Sequence, residues 1–269
     1  MPRFPGLRRP TPSPHFFAAD SSTSTAIAVV FQLPGVVCCK VAMETARIAE
    51  LLAPFSGGER LPPRLLEALQ RYLDLLLRWN ARVNLTAVRD PEKIVTRHFG
   101  ESLFAARVLL RGRDGAAAST LVDVGSGAGF PGVPMKLFAP QLRLTLIEVH
   151  NKKAVFLREV VRSLGLDRVE VFGGRAEHWA KTADLVTLRA VEQFERALPV
   201  AAKLVAEDGR LGLLIGAGQG STAQAVLGKP WRWREPAAVP LSEARVVLLA
   251  ERNGLRTDWC EELGNGLIE

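Results

Sequence analysis

The residues best suited to chemistry lie between Leu121 and Gly132, in the order LVDVGSGAGFPG. An apolar run, Leu121 to Val124, meets glycines at positions 125, 127, 129 and 132, and Pro131 opens the next segment. Glycines at such a turn let the backbone bend tightly and approach a ligand with no Cβ in the way. Glu148 closes the following apolar run, about 20 residues on, where an acid can accept hydrogen bonds from both ribose hydroxyls of an adenosine moiety. Gly127 to Gly132 spells GxGxxG, so a dinucleotide and hydride transfer are one reading of the loop. Asp123 favours another. A ligand that ends in an amino acid gains more from carboxylates than a pyrophosphate does, whereas a pyrophosphate is served by a bare helix N-terminus. A tight strand-to-helix turn with no ligand is the plainest alternative.

Such a loop needs a strand before it and a helix after it. Short apolar runs at Leu121–Val124, Arg143–Glu148, Val169–Phe172, Leu185–Arg189, Arg210–Ile215 and Arg245–Glu251 read as strands. Helical stretches lie between most of them, at Pro131–Phe138, Lys152–Leu164 and Phe194–Val205. This alternation predicts an α/β fold with a doubly wound, mostly parallel sheet covered on both faces. Upstream, a short helix bears Ile48, Leu51, Leu52 and Phe55, and Gly57-Gly58 ends it. Pro62-Pro63 opens a second helix with Leu65, Leu69, Tyr72, Leu76 and Trp79 on one face. Asp90-Pro91 starts a third, which runs to about Leu110, with Asp90 as N-cap. Residues 43–113 thus form an N-terminal helical subdomain, and residues 114–269 the α/β domain. Residues 1–42, rich in Pro, Ser and Thr, are expected to be a disordered extension, with the functional chain starting at or near Met43.

Of 269 residues, 48% are hydrophobic and 23% charged, as in globular proteins. The apolar stretch from Ala26 to Val41 is broken by Gln32, Pro34, Gly35 and Lys40, and a membrane span needs about 20 apolar residues in a row. Arg3, Arg8 and Arg9 precede that stretch, but Val36 and Val37 stand where export cleavage prefers small residues. Cys38, Cys39 and Cys260 have no CxxC spacing, which argues against a disulfide framework or a metal site and for a reducing, cytoplasmic setting. Net charge is +7. Residues 60–113 carry eleven Lys and Arg against five Asp and Glu, while residues 114–269 carry nineteen of each. A basic helical segment on a neutral domain points to a polyanion, nucleic acid first.

Asp123-x-Gly125-x-Gly127-x-Gly129 resembles the first motif of S-adenosylmethionine (SAM) methyltransferases. Further stretches resemble one family, the bacterial small-subunit rRNA guanine-N7 methyltransferases (RsmG, formerly glucose-inhibited division protein B). These are Trp79-Asn80, Asn84-Leu85-Thr86-Ala87-Val88-Arg89-Asp90-Pro91, Arg97-His98 with Ser102, the loop from Asp123 to Gly132 with its Pro-Gly, and Lys152-Lys153 with Phe156-Leu157. Arg175-Ala176-Glu177 and Arg189-Ala190 complete the set. The resemblance covers about residues 45–250. It implies a Rossmann-like class I fold and methyl transfer from SAM to N7 of the guanosine at position 527 of 16S rRNA. Carried over by residue, it implies that Gly125, Gly127 and Phe130 line the methionine and sugar region. Glu148 accepts from the ribose, Ala176 and Glu177 bound the adenine, and Arg189 lies near both cofactor and substrate. Two positions depart from the family: Glu101 stands where Asp is usual, and Ile215-Gly216 where Lys-Gly is frequent.

The implied chemistry asks little of acid–base groups. Guanine N7 offers a lone pair and has no proton to lose, so no catalytic base is assigned, and catalysis rests on positioning. The expected partner is 16S rRNA or a small-subunit particle, met by a monomer without a membrane. N7 lies in a groove of A-form RNA that is deep and narrow, so the target must leave the stack. Arg71, Arg78, Arg82, Arg89, Lys93 and Arg97 would hold phosphates. His98 follows Ile94 by one turn and reads as a packed histidine. Trp231 and Trp233 alternate with Arg232 and Arg234, a pattern of inward aromatics more than of a stacking ribbon. Two other functions compete: an NAD(P)-dependent oxidoreductase, and a noncatalytic RNA-binding or ribosome-assembly factor that keeps a SAM fold.

Overall fold

The computed structural model describes residues 43–111, 119–191 and 193–252. The expectations for residues 1–42 and for the three cysteines lie outside them. Helices α1 (Thr45–Leu52) and α2 (Pro63–Asn80) come first, each burying one apolar stripe. Asp90 caps α3 (Pro91–Ile94) by accepting from the Lys93 amide at 2.8 Å. The third helix then widens into a π-helical segment, Val95–Gly100, before α4 (Glu101–Leu109). The expected single helix is therefore continuous but changes phase within it. Ser102 Oγ, in α4, donates back to the His98 carbonyl of this segment at 2.6 Å.

Strands and helices then alternate: β1 (Thr120–Val124), α5 (Gly132–Phe138), β2 (Arg143–Ile147), α6 (Asn151–Leu164), β3 (Val169–Phe172), β4 (Ala183–Arg189), α7 (Phe194–Lys203) and β5 (Val205–Gly216). Helix α8 (Gln219–Leu227) and three strands follow: β6 (Trp231–Trp233), β7 (Ala237–Ala238) and β8 (Arg245–Arg252). The sheet order is β3-β2-β1-β4-β5-β8-β6, with β7 also on β8. Strands β1 to β5 are parallel, whereas β8 runs antiparallel to β5, β6 and β7. The chain leaves β1 toward β2 and β3, then returns to β4 on the other side of β1. That reversal opens a crevice at the carboxyl ends of β1 and β4, where α/β sheets bind ligands.

The helix expected through Val205 stops at Lys203, and Val205 joins β5 opposite Ala183. Leu204 and Val205 are both buried, and a two-residue apolar run suits either period. Along β1 the side chains alternate between two cores. Leu121 packs with α2, α4, α5 and α6, while Val122 and Val124 pack with α7 and the β5 residues Leu211 and Leu213. The first core runs without a break from Ile48 and Leu52 through Tyr72 and Phe99 to the sheet. Trp231 and Trp233 are half-buried against the second core, and Arg232 and Arg234 turn outward to Glu251. The expectation of inward aromatics holds.

Candidate functional site

The glycine turn is fixed by hydrogen bonds from both sides. The amides of Gly125 and Ser126 donate to the Ile147 carbonyl at 2.9 and 3.0 Å, tying the turn to the end of β2. Ser126 Oγ donates to the Asp123 carbonyl at 2.8 Å. From α2, the Tyr72 hydroxyl donates to the Ala128 carbonyl. Gly129 has φ +90°, and a Cβ there would stand 2.5 Å from the Tyr72 hydroxyl and 2.9 Å from Val133. Only glycine satisfies both the backbone and the packing at this point.

Asp123 is buried and accepts from Thr187 Oγ1 at 2.8 Å and the Gly132 amide at 3.3 Å. It anchors the start of α5 against β4. Burial pushes its carboxyl up to about 6, against the pull of these hydrogen bonds. Glu148 is also buried, directly after β2. One carboxylate oxygen accepts from the Gly127 amide and the other from the His150 amide, each at 2.8 Å. Each oxygen keeps a second lone pair for a further donor.

A cavity of about 650 Å³ runs along the strand ends. In sheet order it passes Glu148 after β2, Gly125 after β1, Arg189 at the end of β4, Ile215 and Gly216 at the end of β5, and Arg245 at the start of β8. Gly127 and Phe130 also line it. Five of the residues expected at the site therefore meet around one cavity. Ala176 and Glu177 do not line it. Ala176 begins a single 3-10 turn after β3 and is buried in the second core, and Glu177 is exposed.

Phe130 carries an aromatic stack. His98, Tyr72 and Phe99 pack on it with ring centroids 4.9, 5.5 and 5.6 Å away, and the Arg189 guanidinium lies 5.8 Å from its centre. Arg189 donates through Nη2 to the Arg97 carbonyl at 2.8 Å and to Glu101 at 2.9 Å. The same nitrogen is 3.3 Å from His98 Nδ1. Nη2 carries two hydrogens, which the Arg97 carbonyl and Glu101 take, and His98 Nε2 lies 2.7 Å from Thr86 Oγ1. Burial, then Arg189 and Arg97, press the imidazole down to about 3. His98 is packed on Phe130, as its position after Ile94 suggested, but it is half-buried and lines the cavity.

Five contributors were not legible as site residues. Thr86 and Ala87 line the cavity from the loop between α2 and α3. Buried Asn80 shapes that loop, accepting from the amides of Leu85 and Thr86 at 2.9 and 3.1 Å. Arg89 was expected on phosphate, but its guanidinium is committed to the Asn80 carbonyl at 2.9 Å and Asn84 Oδ1 at 3.0 Å. Arg245 reaches the site because β8 is antiparallel and places its first residue opposite Gly216. Glu101, 3% exposed, bridges Arg189 and Arg245.

Among the described residues, no group of three or more His, Cys, Asp or Glu is placed to hold a metal ion. The residues present do fit SAM. Gly125 and Gly127 line the cavity, a Cβ on Gly125 would crowd Val191 at 3.3 Å, and Glu148 offers free lone pairs beside them. The sheet order with a late antiparallel strand and the glycine turn at the switch point define a class I SAM-dependent methyltransferase fold. The structure of magnesium protoporphyrin IX methyltransferase from Synechocystis with bound SAM is similar, with a TM-score of 0.52 over 68% of this chain and 97% of that one, at 12% identity.

Sequence comparison narrows the class. The family model for rRNA small subunit methyltransferase G (GidB) matches residues 65–226, and the chain belongs to that family. Ribosomal RNA small subunit methyltransferase G of Xylella fastidiosa strain 9a5c is 44% identical over 151 residues, 55% of this chain and 68% of the relative. Its counterpart in Roseiflexus sp. strain RS-1 is 46% identical over 143 residues, 51% of this chain and 59% of the relative.

Proposed function

We propose that this chain methylates N7 of a guanine in 16S rRNA, the guanosine at position 527, with SAM as donor. The observation that carries the reading is the single cavity joining an adenosyl-type site, Glu148 with Gly125 and Gly127, to a wall that bears Arg97, Arg189 and Arg245. SAM supplies a methyl group on a sulfonium, which an unprotonated ring nitrogen can take directly. Glu148 would hold the ribose hydroxyls, Gly125 and Gly127 would lie along the methionine, and Phe130 would floor the site. Ala176 and Glu177 would bound the adenine from the turn after β3. The chain's part is positioning, with the nucleophile held about 3–3.5 Å from the methyl carbon. His98, neutral and stacked on Phe130, orients Phe130 and Arg189 and moves no proton. The substrate is 16S rRNA or a small-subunit particle, met in the cytoplasm by a monomer. Among the described residues no helix is long and apolar enough to cross a membrane.

The test is transfer from labelled SAM to small-subunit rRNA that lacks the mark, with digestion to nucleosides. Labelled 7-methylguanosine is expected from the wild type and not from Gly125→Asp, which adds a carboxylate where φ is +70°. SAM binding without transfer to rRNA, particles or subunits would reject the enzyme and favour a noncatalytic RNA-binding factor.

A further inference from the structure

At the β5–β8 end of the cavity, positive charge exceeds negative. Glu101 is 2.9 Å from Arg189 Nη2 and 2.5 Å from Arg245 Nη2, so two guanidiniums share one carboxylate. Exposed Arg97 lines the same wall. Arg189 Nη1 and Arg245 Nε are buried donors without a hydrogen-bond partner, although buried donors are normally paired. The side chain of Arg245 is 35% exposed and opens on the cavity, while Glu101 holds one edge of its guanidinium. Burial lowers the pKa of His98 most, and Arg189, Arg97 and Arg245 add to that shift.

We infer that Arg245, with Arg97 beside it, seats a phosphodiester group of the RNA substrate. The inference rests on the proposed reaction. The reaction itself argues for phosphate over base at this cation. Methyl transfer moves a positive charge from the sulfonium onto the guanine, and a guanidinium on the base would oppose that movement. A phosphodiester brings one negative charge, which lowers the excess of Arg97, Arg189 and Arg245 over Glu101 from two to one. A guanidinium fork suits phosphate oxygens, and Glu101 keeps the fork of Arg245 in one orientation. The methionine carboxylate of SAM is the competing anion. It belongs to the β1–β2 end, and Arg245 stands on the far side of β4 and β5 from there.

Arg245→Met, Arg245→Lys and Arg245→Gln test the seat. Glu101 keeps its pair with Arg189 in all three, and Arg245→Gln retains a neutral donor toward Glu101, so it keeps the test open if Arg245→Met folds poorly. Each is compared with wild type for binding of unmethylated 16S rRNA between 50 and 200 mM salt, for methyl transfer, and for SAM affinity by calorimetry. Removing one guanidinium from a phosphate is expected to weaken RNA binding about tenfold and to flatten the log–log salt dependence by about 0.7–0.9. SAM affinity should stay within about twofold, and Arg245→Lys should restore the salt slope because it keeps the charge. An unchanged salt slope, or a loss of SAM affinity in place of RNA affinity, would overturn the seat. If wild type makes no 7-methylguanosine yet binds RNA with a slope that Arg245→Met flattens, the seat stands and the proposed reaction falls.

Discussion

At Asp123, burial outweighs hydrogen bonding, and the carboxyl rises from 3.8 to about 6. The folded chain therefore holds this proton more tightly than the unfolded one. The stability so contributed is fully present below about pH 3.8 and is lost as pH rises through 6, up to about 3 kcal/mol. Asp123→Asn cannot ionise. The unfolding free energy of wild type minus that of Asp123→Asn, from urea titrations, is expected to fall by most of that amount between pH 4 and 7. A constant difference would mean that Asp123 titrates alike in both states. His98 gives a second reading. Its ring resonances should show no titration between pH 5 and 8, because burial and Arg189 hold it near 3. Gly125, Gly127, Phe130, Glu148 and Arg189 could be found in the sequence because each ends a local strand-and-turn pattern. Glu101 and Arg245 could not, since they meet only through packing between segments far apart in the chain.

Among elements, α2 has a role that its amphipathic pattern does not announce. The spacing of Leu65, Leu69, Tyr72 and Leu76 shows a buried stripe, and the stripe is buried. It does not show that the Tyr72 hydroxyl reaches the Ala128 carbonyl in the glycine turn. Tyr72→Phe keeps the rings stacked on Phe99 and Phe130 but leaves that buried carbonyl unpaired. A stability loss of about 1–3 kcal/mol is expected in denaturant titrations. Weaker SAM binding by calorimetry should accompany it, because the turn loses its tie to α2. The π-helical segment escaped the sequence reading for a similar reason: its apolar positions fit an α-helix nearly as well. The direction of β8 was also hidden, because a run such as Arg245–Glu251 looks alike in parallel and antiparallel pairs.

Over the whole molecule, the basic excess of residues 60–113 coats helices whose apolar faces join the core of the sheet. Arg71, Arg78, Arg82 and Lys93 are exposed. Arg78→Ala/Arg82→Ala is expected to weaken rRNA binding and to reduce its salt slope by about 0.7–0.9 for each phosphate no longer neutralised, with SAM affinity unchanged. Filter binding at several salt concentrations would measure it, and equal slopes would place the RNA elsewhere. The α/β class and six of its strands were legible because such strands are short and apolar, and most are separated by helices. The union of the helical segment with the sheet was not, because composition and charge mark a boundary where the core has none.

The place of β8 in the sheet has a consequence for the life of the chain on the ribosome. Translation delivers the glycine turn early and Arg245 late. Until the final strand slides between β5 and β6, Glu101 faces Arg189 alone and β5 is an open edge, ready to pair with a strand from another molecule. At usual elongation speeds the interval between Gly216 and Arg252 lasts on the order of a few seconds. Those seconds are the period in which a nascent chain is most exposed to mispairing and has most need of a chaperone.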